Sequence, residues 1–355
     1  MKKITLILSI YLIQFLNLSS DEPKLEELIK GLNNPWSLSF ITNKDILVTE
    51  KSGNLLKINL TNKKIDKFTH NLNILEDGQG GLLEVLFENN EIFVSYSENR
   101  GSGKSSTSVA KASIKNNELN FKNIFRAEPP INSGYHFGSR LVIKNNYLFI
   151  TAGERGKGMI AQDATKHPGS IIRINLDGSI PNNNPKFENK KNWLPEIYQI
   201  GVRNPQGMAL SPFNGEIYLT NHGAKGGDWF GIVKKAENYG WKILGWGGTN
   251  YTGTRIGPKW KPGFTKAIKY WVPSIAASSM IIYKGKEFKE WNGDALITSL
   301  KDQSLRKIKF IDNNFINENI IFKNIIGRIR DIEIQKSTGE IFLLTDQGSL
   351  WRLYK

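Results

Sequence analysis

Short apolar runs, four to six residues long, recur along the chain and are broken by Asn, Gly, Lys and Asp. Six of these runs end in Thr or Ser. They are Ile46-Leu47-Val48-Thr49, Ile92-Phe93-Val94-Ser95, Leu148-Phe149-Ile150-Thr151, Ile217-Tyr218-Leu219-Thr220, Ala295-Leu296-Ile297-Thr298 and Phe342-Leu343-Leu344-Thr345. Upstream of them, in order, stand Asn34, Gln79, His136, Arg203, Ser279 and Arg330. The offset is about 11 to 16 residues, one strand plus one tight turn. Asn89-Asn90, Lys144-Asn145-Asn146, Asn214-Gly215 and Thr338-Gly339 each separate two such runs, which is hairpin punctuation. Helical periodicity is nearly absent; one weak helical turn is expected at Leu25 to Leu32.

Constant phase over unequal units of about 45 to 80 residues predicts an all-β chain, a six-bladed β-propeller of four-stranded antiparallel blades. A β-sandwich is the alternative, and the constant phase argues against it. Pro181 to Pro195 and Gly245 to Trp271 read as insertions. In antiparallel blades the start of the innermost strand and the end of the second share one face. The upstream polar residues should therefore meet Gly153-Glu154-Arg155, Asn221-His222-Gly223, Ser299-Leu300-Lys301 and Thr345-Asp346 at one mouth of a central channel.

Residues 1–20 stand apart. Lys2 and Lys3 precede the apolar run Ile4 to Leu16 and a small polar stretch to Ser20. This reads as a secretory signal, with residues 21–355 as one domain. The run is short for a bilayer span, so no stable membrane insertion is expected after signal removal. An exported chain without cysteine fits a periplasmic location.

The formal net charge is +15, which favours an anionic partner. The lysines are scattered, and no basic helix or aromatic ladder supports nucleic-acid binding. At the predicted mouth collect Gln79, His136, Arg203, Asn204, Lys301, Arg328 and Arg330. Confined cations repel one another unless an anion neutralises them, and arginine suits planar carboxylates. Asp331 beside Arg330 is the obvious internal salt-bridge partner. His136, in an aromatic, glycine-bounded loop, is a candidate general base that nearby cations would keep neutral. Gly101-Ser102-Gly103-Lys104-Ser105 mimics a phosphate loop, but Glu98 occupies the position of the required earlier glycine, so a hairpin tip is expected.

Several longer stretches carry a resemblance. Gly78-Gln79-Gly80-Gly81-Leu82-Leu83-Glu84, His136-Phe137-Gly138-Ser139-Arg140 and Gly201-Val202-Arg203-Asn204-Pro205-Gln206-Gly207 are three of them. His222 to Asp228, Asn238-Tyr239-Gly240-Trp241, Trp271 to Ala276 and Gly327-Arg328-Ile329-Arg330-Asp331 are the others. Together they resemble soluble quinoprotein dehydrogenases of the glucose/sorbosone dehydrogenase family, in particular its aldose branch. The resemblance implies a propeller that binds pyrroloquinoline quinone (PQQ), usually with calcium. It implies an oxidoreductase that oxidises the anomeric hydroxyl of an aldose to a lactone and passes electrons to an unidentified acceptor. By motif, His136 is the base. Gln79, Arg203, Asn204, Tyr251, Lys301, Arg328 and Arg330 are cofactor contacts, and backbone oxygens of Gly223, Ala224 and Tyr239 are metal ligands. Ala224, Trp229 and Asn221 replace the residues usual in the family, which thins the support for calcium and weakens a second calcium site. The competing functions are a calcium-dependent propeller lactonase, which wants several axial carboxylates, and a non-catalytic carbohydrate-binding propeller.

Overall fold

The computed structural model describes residues 22–115, 117–186 and 192–355; the secretory signal expected over residues 1–20 lies outside them. Six sheets follow one another in chain order, and in each the first four strands pair antiparallel from the innermost outward; the short strand Glu118–Leu119 adds parallel to Ile65–His70 at the outer edge of the first. The innermost strands are Pro35–Phe40, Leu82–Glu88, Gly138–Lys144, Asn204–Leu210, Ala277–Ile282 and Ile329–Ile334. The six apolar phrases form the second strands, Asp45–Glu50, Glu91–Asn99, Tyr147–Ala152, Ile217–His222, Ala295–Ser299 and Ile341–Thr345. The Asn-rich turns sit where expected: Asn89, Asn90, Asn145 and Asn146 adopt left-handed φ values of 51°, 61°, 52° and 62°, as tight hairpins require. Gly101 to Lys104 is a hairpin tip in blade two.

Apolar packing runs between neighbouring sheets. One buried cluster joins each adjacent pair of blades: Leu47 with Val94, Phe93 with Leu148, Phe149 with Leu219, Phe230 with Ile297, Leu296 with Leu343, and Leu344 with Ile46. A sandwich would place one core between two sheets; six interfaces closing a ring define the propeller.

The terminal Thr or Ser of each phrase has a mechanical role. Every innermost strand carries a register shift near its start, a β-bulge that exposes carbonyls. In blades one to four the hydroxyl donates to the next blade's innermost strand. Thr49 Oγ1 reaches Leu83 O at 2.5 Å and Ser95 Oγ reaches Ser139 O at 2.6 Å. Thr151 Oγ1 reaches Pro205 O at 3.3 Å, and Thr220 Oγ1 reaches Ser278 O at 2.7 Å. In blade five Thr298 bonds Ser278, whose hydroxyl reaches Ile329 O of blade six at 2.6 Å. Thr345 turns instead to Ser349 O of its own blade.

The last interface is closed differently. Leu25 to Leu32 does not form a helical turn. Lys24–Ile29 is the outermost strand of blade six, paired with Leu350–Tyr354 in a register that sets Leu25 opposite Leu353. A partner more than 300 residues away overrides the weak local preference. Asp331 of blade six adds a cross-link, accepting the Leu38 amide of blade one at 2.9 Å.

Candidate active site

Two cavities share the propeller axis, separated by a buried layer centred on Arg140. Arg140 is 2% exposed. It donates from Nη1 to Glu84 at 2.5 Å and Asp331 at 2.7 Å, from Nε to Gln206 O at 2.6 Å, and from Nη2 to Arg330 O at 3.2 Å. Its guanidinium carbon lies 4.3 Å from the centre of the Trp36 ring. This one side chain links blades one, two, three, four and six. Asp331 thus partners Arg140, where the sequence suggested Arg330. One guanidinium serves two carboxylates, and burial pushes Glu84 up to about 8.

Above this floor lies a cavity of about 330 Å³. Buried Trp36, Leu83 and Phe137 form its apolar base. Its walls include Gln79, Asn204, Gln206, His222, Lys51, Arg328 and Arg330. Among the described residues three cations line it and no carboxylate does. Asp346 sits behind the two arginines: it accepts Arg328 Nε at 2.9 Å and Arg330 Nε at 2.8 Å. Burial raises the Asp346 carboxyl, but the two arginines outweigh it and hold the group low. Lys51 donates to Gly78 O at 2.7 Å, and burial lowers its ammonium. Sequence reasoning missed Lys51, one lysine among many; it placed Asp346 at the mouth but not its pairing with Arg328 and Arg330, which needs two strands in register.

His136 stands beside this cavity, between wall residues Gln79 and Phe137. Its backbone is left-handed, φ 53°, a conformation uncommon outside glycine. Gln79 Oε1 accepts the His136 amide at 2.9 Å, so this expected cofactor contact also fixes the loop. Gly153 permits the close approach, since a Cβ there would meet His136 O at 2.0 Å. The imidazole is largely buried, and Nδ1 meets Glu154 Oε1 at 2.5 Å. The second Glu154 oxygen accepts the Gly158 amide. Burial raises the Glu154 carboxyl, but these bonds outweigh it and hold the group ionised. Burial lowers His136; Glu154 opposes that, while Arg203 and Arg155 push the same way. The net direction is down, as expected from the sequence, but burial leads and the cations assist. With Nδ1–H given to Glu154, a neutral ring keeps Nε2 unprotonated.

Arg203 is buried, with its guanidinium 5.3 Å from the Trp241 ring centre and Nη1 donating to His222 O at 3.4 Å. Burial lowers it, and the Tyr251 hydroxyl supports it. Tyr251 itself is 72% exposed on its loop. Asn221 Oδ1 accepts the Arg203 and Asn204 amides at 2.9 and 3.0 Å, which sets both side chains at the mouth.

Two upstream residues, Ser279 and Asn34, depart from the expected ring, as does Lys301 after the second strand of blade five. Ser279 lies inside the blade-five bulge and lines the opposite cavity; Ala276 takes its place at the mouth. Asn34 is exposed and bonds Asn33, while Trp36 and Lys51 represent blade one. Lys301 lies in a neighbouring recess with Trp271, Asp302 and Arg306, while Leu300, next to it in the chain, lines the cavity.

The sequence sets aside His222, yet it lines the cavity, and its Nε2 is buried without a hydrogen-bond partner among the described residues. Burial lowers its pKa to about 3, so the ring is neutral. Gly223 and Ala224 follow it, and buried Asp228 shapes their turn by accepting the Gly223 amide at 2.8 Å and the Ser274 hydroxyl at 2.8 Å. Tyr239 lies in the blade-four core, stacked on Trp229 with ring centres 3.9 Å apart, away from the cavity walls. Among the described residues no cluster of three His, Asp or Glu side chains could hold a metal.

The chain as a whole is similar to known proteins. The PQQ-bound aldose sugar dehydrogenase from Streptomyces coelicolor has the same fold: TM-score 0.76 at 18% identity, covering 94% of this chain and 98% of that one. The apo-form of the soluble aldose sugar dehydrogenase from Escherichia coli superposes with a TM-score of 0.87 at 31% identity, covering 93% and 99%. Aldose sugar dehydrogenase YliI of Escherichia coli K12 is 33% identical over 339 residues, 92% of this chain and 90% of that protein. The family model for glucose/sorbosone dehydrogenases matches residues 32–352, which take in strands of all six blades, and by that match the chain belongs to the glucose/sorbosone dehydrogenase family.

Proposed function

We propose that this protein is a periplasmic, PQQ-dependent dehydrogenase that oxidises the anomeric hydroxyl of aldoses to lactones. One observation carries the reading. A cavity lined by Lys51, Arg328 and Arg330, with no carboxylate among its lining residues, lies beside a neutral histidine whose Nδ1–H is committed to a carboxylate. Such a pocket suits a small polyanion and, next to it, a base.

The residues fit the cofactor. The cavity volume falls within the range of small-molecule sites, about 300 to 1,000 Å³. Arg328, Arg330 and Lys51 would meet its carboxylates, Trp36 and Phe137 its flat face, and the unpartnered His222 Nε2 a polar edge. Gln79 and Asn204 would hold its flanks, with Arg203, Tyr251 and Lys301 at the rim. When bound, PQQ supplies the two-electron acceptor for the anomeric C1–H bond. Calcium would be held by the carbonyls of Gly223 and Ala224. Asp228 gives its oxygens to the Gly223 amide, Ser274 and the Ala277 amide, so side-chain support for the ion is thin and its affinity should be low.

The chain's own chemistry is proton handling. His136 Nε2 takes the anomeric hydroxyl proton while Glu154 holds the other nitrogen and stabilises the imidazolium that forms. Burial and the cations keep the resting ring neutral. Arg203 and Arg330 offer positive charge to the negative charge that develops during the transfer. A lactonase reading finds less support, because the axial carboxylates Glu84 and Asp331 are bound to Arg140. Aldose-dependent dye reduction by the PQQ-loaded protein is the test. Lactone hydrolysis without PQQ would favour the lactonase, and sugar binding without turnover would favour a binding module.

A further inference from the structure

Arg155 is a buried cation whose contacts are all neutral. It is 2% exposed, as Arg140 is. Arg140 has two carboxylates within 2.7 Å. Arg155 has no ion pair among the described residues. Its Nε donates to Tyr135 O at 2.9 Å, its Nη1 to Ser105 O at 2.8 Å, and its Nη2 to Ser105 Oγ at 2.9 Å and to Ser133 O. Its guanidinium carbon lies 3.7 Å from the Phe137 ring centre, and its amide donates to His136 O at 3.3 Å. These contacts grip the His136 loop before, at and after the histidine. The loop needs gripping, because His136 and Arg155 itself are both left-handed, at φ 53° and 57°.

A buried charge without a direct ion pair is expensive. The burial shows in Arg155 itself, which is lowered to about 10, with Asp77 and Glu154 nearby. A neutral amide could staple this loop more cheaply, so the retained charge calls for its own explanation, and His136 supplies one. Among the described residues, the charged and titratable groups that face His136 include Glu154, Arg203, Arg155, His222 and Tyr135, whose ring centre lies 5.9 Å away. The bond to Glu154 favours a protonated ring, and a base needs the neutral one.

We propose that Arg155 is a positioning residue for His136, clamping its left-handed loop and setting a buried charge without a direct ion pair beside the ring, opposite Glu154. The proposal rests on His136 being the base. Its test follows the histidine directly, by nitrogen-15 NMR titration of the imidazoles in the full chain without cofactor. Arg155→Met removes both clamp and charge. The His136 midpoint should rise, and in PQQ-loaded protein kcat should fall at least tenfold with PQQ affinity within threefold. Arg155→Lys keeps the charge and loses the fork, so kcat should fall while the midpoint stays near the wild-type value. If the methionine variant does not fold, Arg155→Gln drops the charge and keeps an amide donor; its midpoint should rise too. An unmoved midpoint in the neutral variants, or kcat within twofold of wild type, would overturn the proposal. Turnover that survives His136→Ala would instead overturn the assignment of the base and leave the measured coupling between Arg155 and His136 intact.

Discussion

At the residue scale the account turns on His136 and its neighbours. His136→Ala should bind PQQ with near wild-type affinity and lose turnover by about 10² to 10⁴; unaltered kcat would remove the base assignment. Because His136 is held below its ordinary value of 6.5, activity should persist as pH falls through 6.5 and fail only at lower pH. Glu154→Gln removes the group that favours the charged ring, so the acid limb of kcat/KM should move lower still while kcat drops for want of the correct tautomer. An acid limb that moves upward would reverse the role given to Glu154. Calcium held by two carbonyls should dissociate readily, and titration of the PQQ-loaded protein should give a Kd in the micromolar range or weaker, about 10⁻⁶ M or above. Nanomolar retention would show ligands other than those assigned. Much of this site was legible because Gly327-Arg328-Ile329-Arg330-Asp331 and His136-Phe137-Gly138-Ser139-Arg140 are compact. What was not legible lies in pairings across strands. Asp346 answers Arg330 through register, Arg140 takes Asp331 from three blades away, and no local pattern announces either.

At the element scale, the repeated Thr or Ser that made the blades visible in the sequence proves to be an inter-blade latch. The sequence revealed the repeat but not its purpose, which exists only once two blades stand side by side. Thr220→Val leaves Ser278 O without its donor and should cost about 1 to 2 kcal/mol in urea unfolding. Thr345→Val, whose hydroxyl stays within blade six, should cost less. Equal losses would refute the latch. The same element logic explains the misplaced Ser279. Offset counting assumes regular strands, and the bulge between Ala277 and Met280 turns that side chain toward the opposite cavity. The strand at Lys24–Ile29 was unreadable as a strand because its partner is the other end of the chain.

At the scale of the whole molecule, the ring is closed by that N-terminal strand and crossed by the Arg140 layer. Removing residues 22–30 should expose Leu350–Tyr354 as an open edge and yield an unstable, aggregating protein. The buried Glu84 makes stability depend on pH. Its folded value, about 8, lies above the ordinary 4.5, so the stability it lends is complete below 4.5 and is lost as pH rises toward 8. Tm should decline across that interval in the wild type and less steeply in Glu84→Gln; parallel slopes would show that Glu84 ionises normally. The pocket above this layer is the centre of the account, and PQQ titration of the cofactor-free protein, followed by addition of an aldose, tests it most directly. The prediction is saturable one-to-one binding, weakened at least tenfold by Arg330→Ala, and reduction of the bound quinone when the sugar is added. Absence of saturable binding, or affinity that Arg330→Ala leaves unchanged, would contradict it.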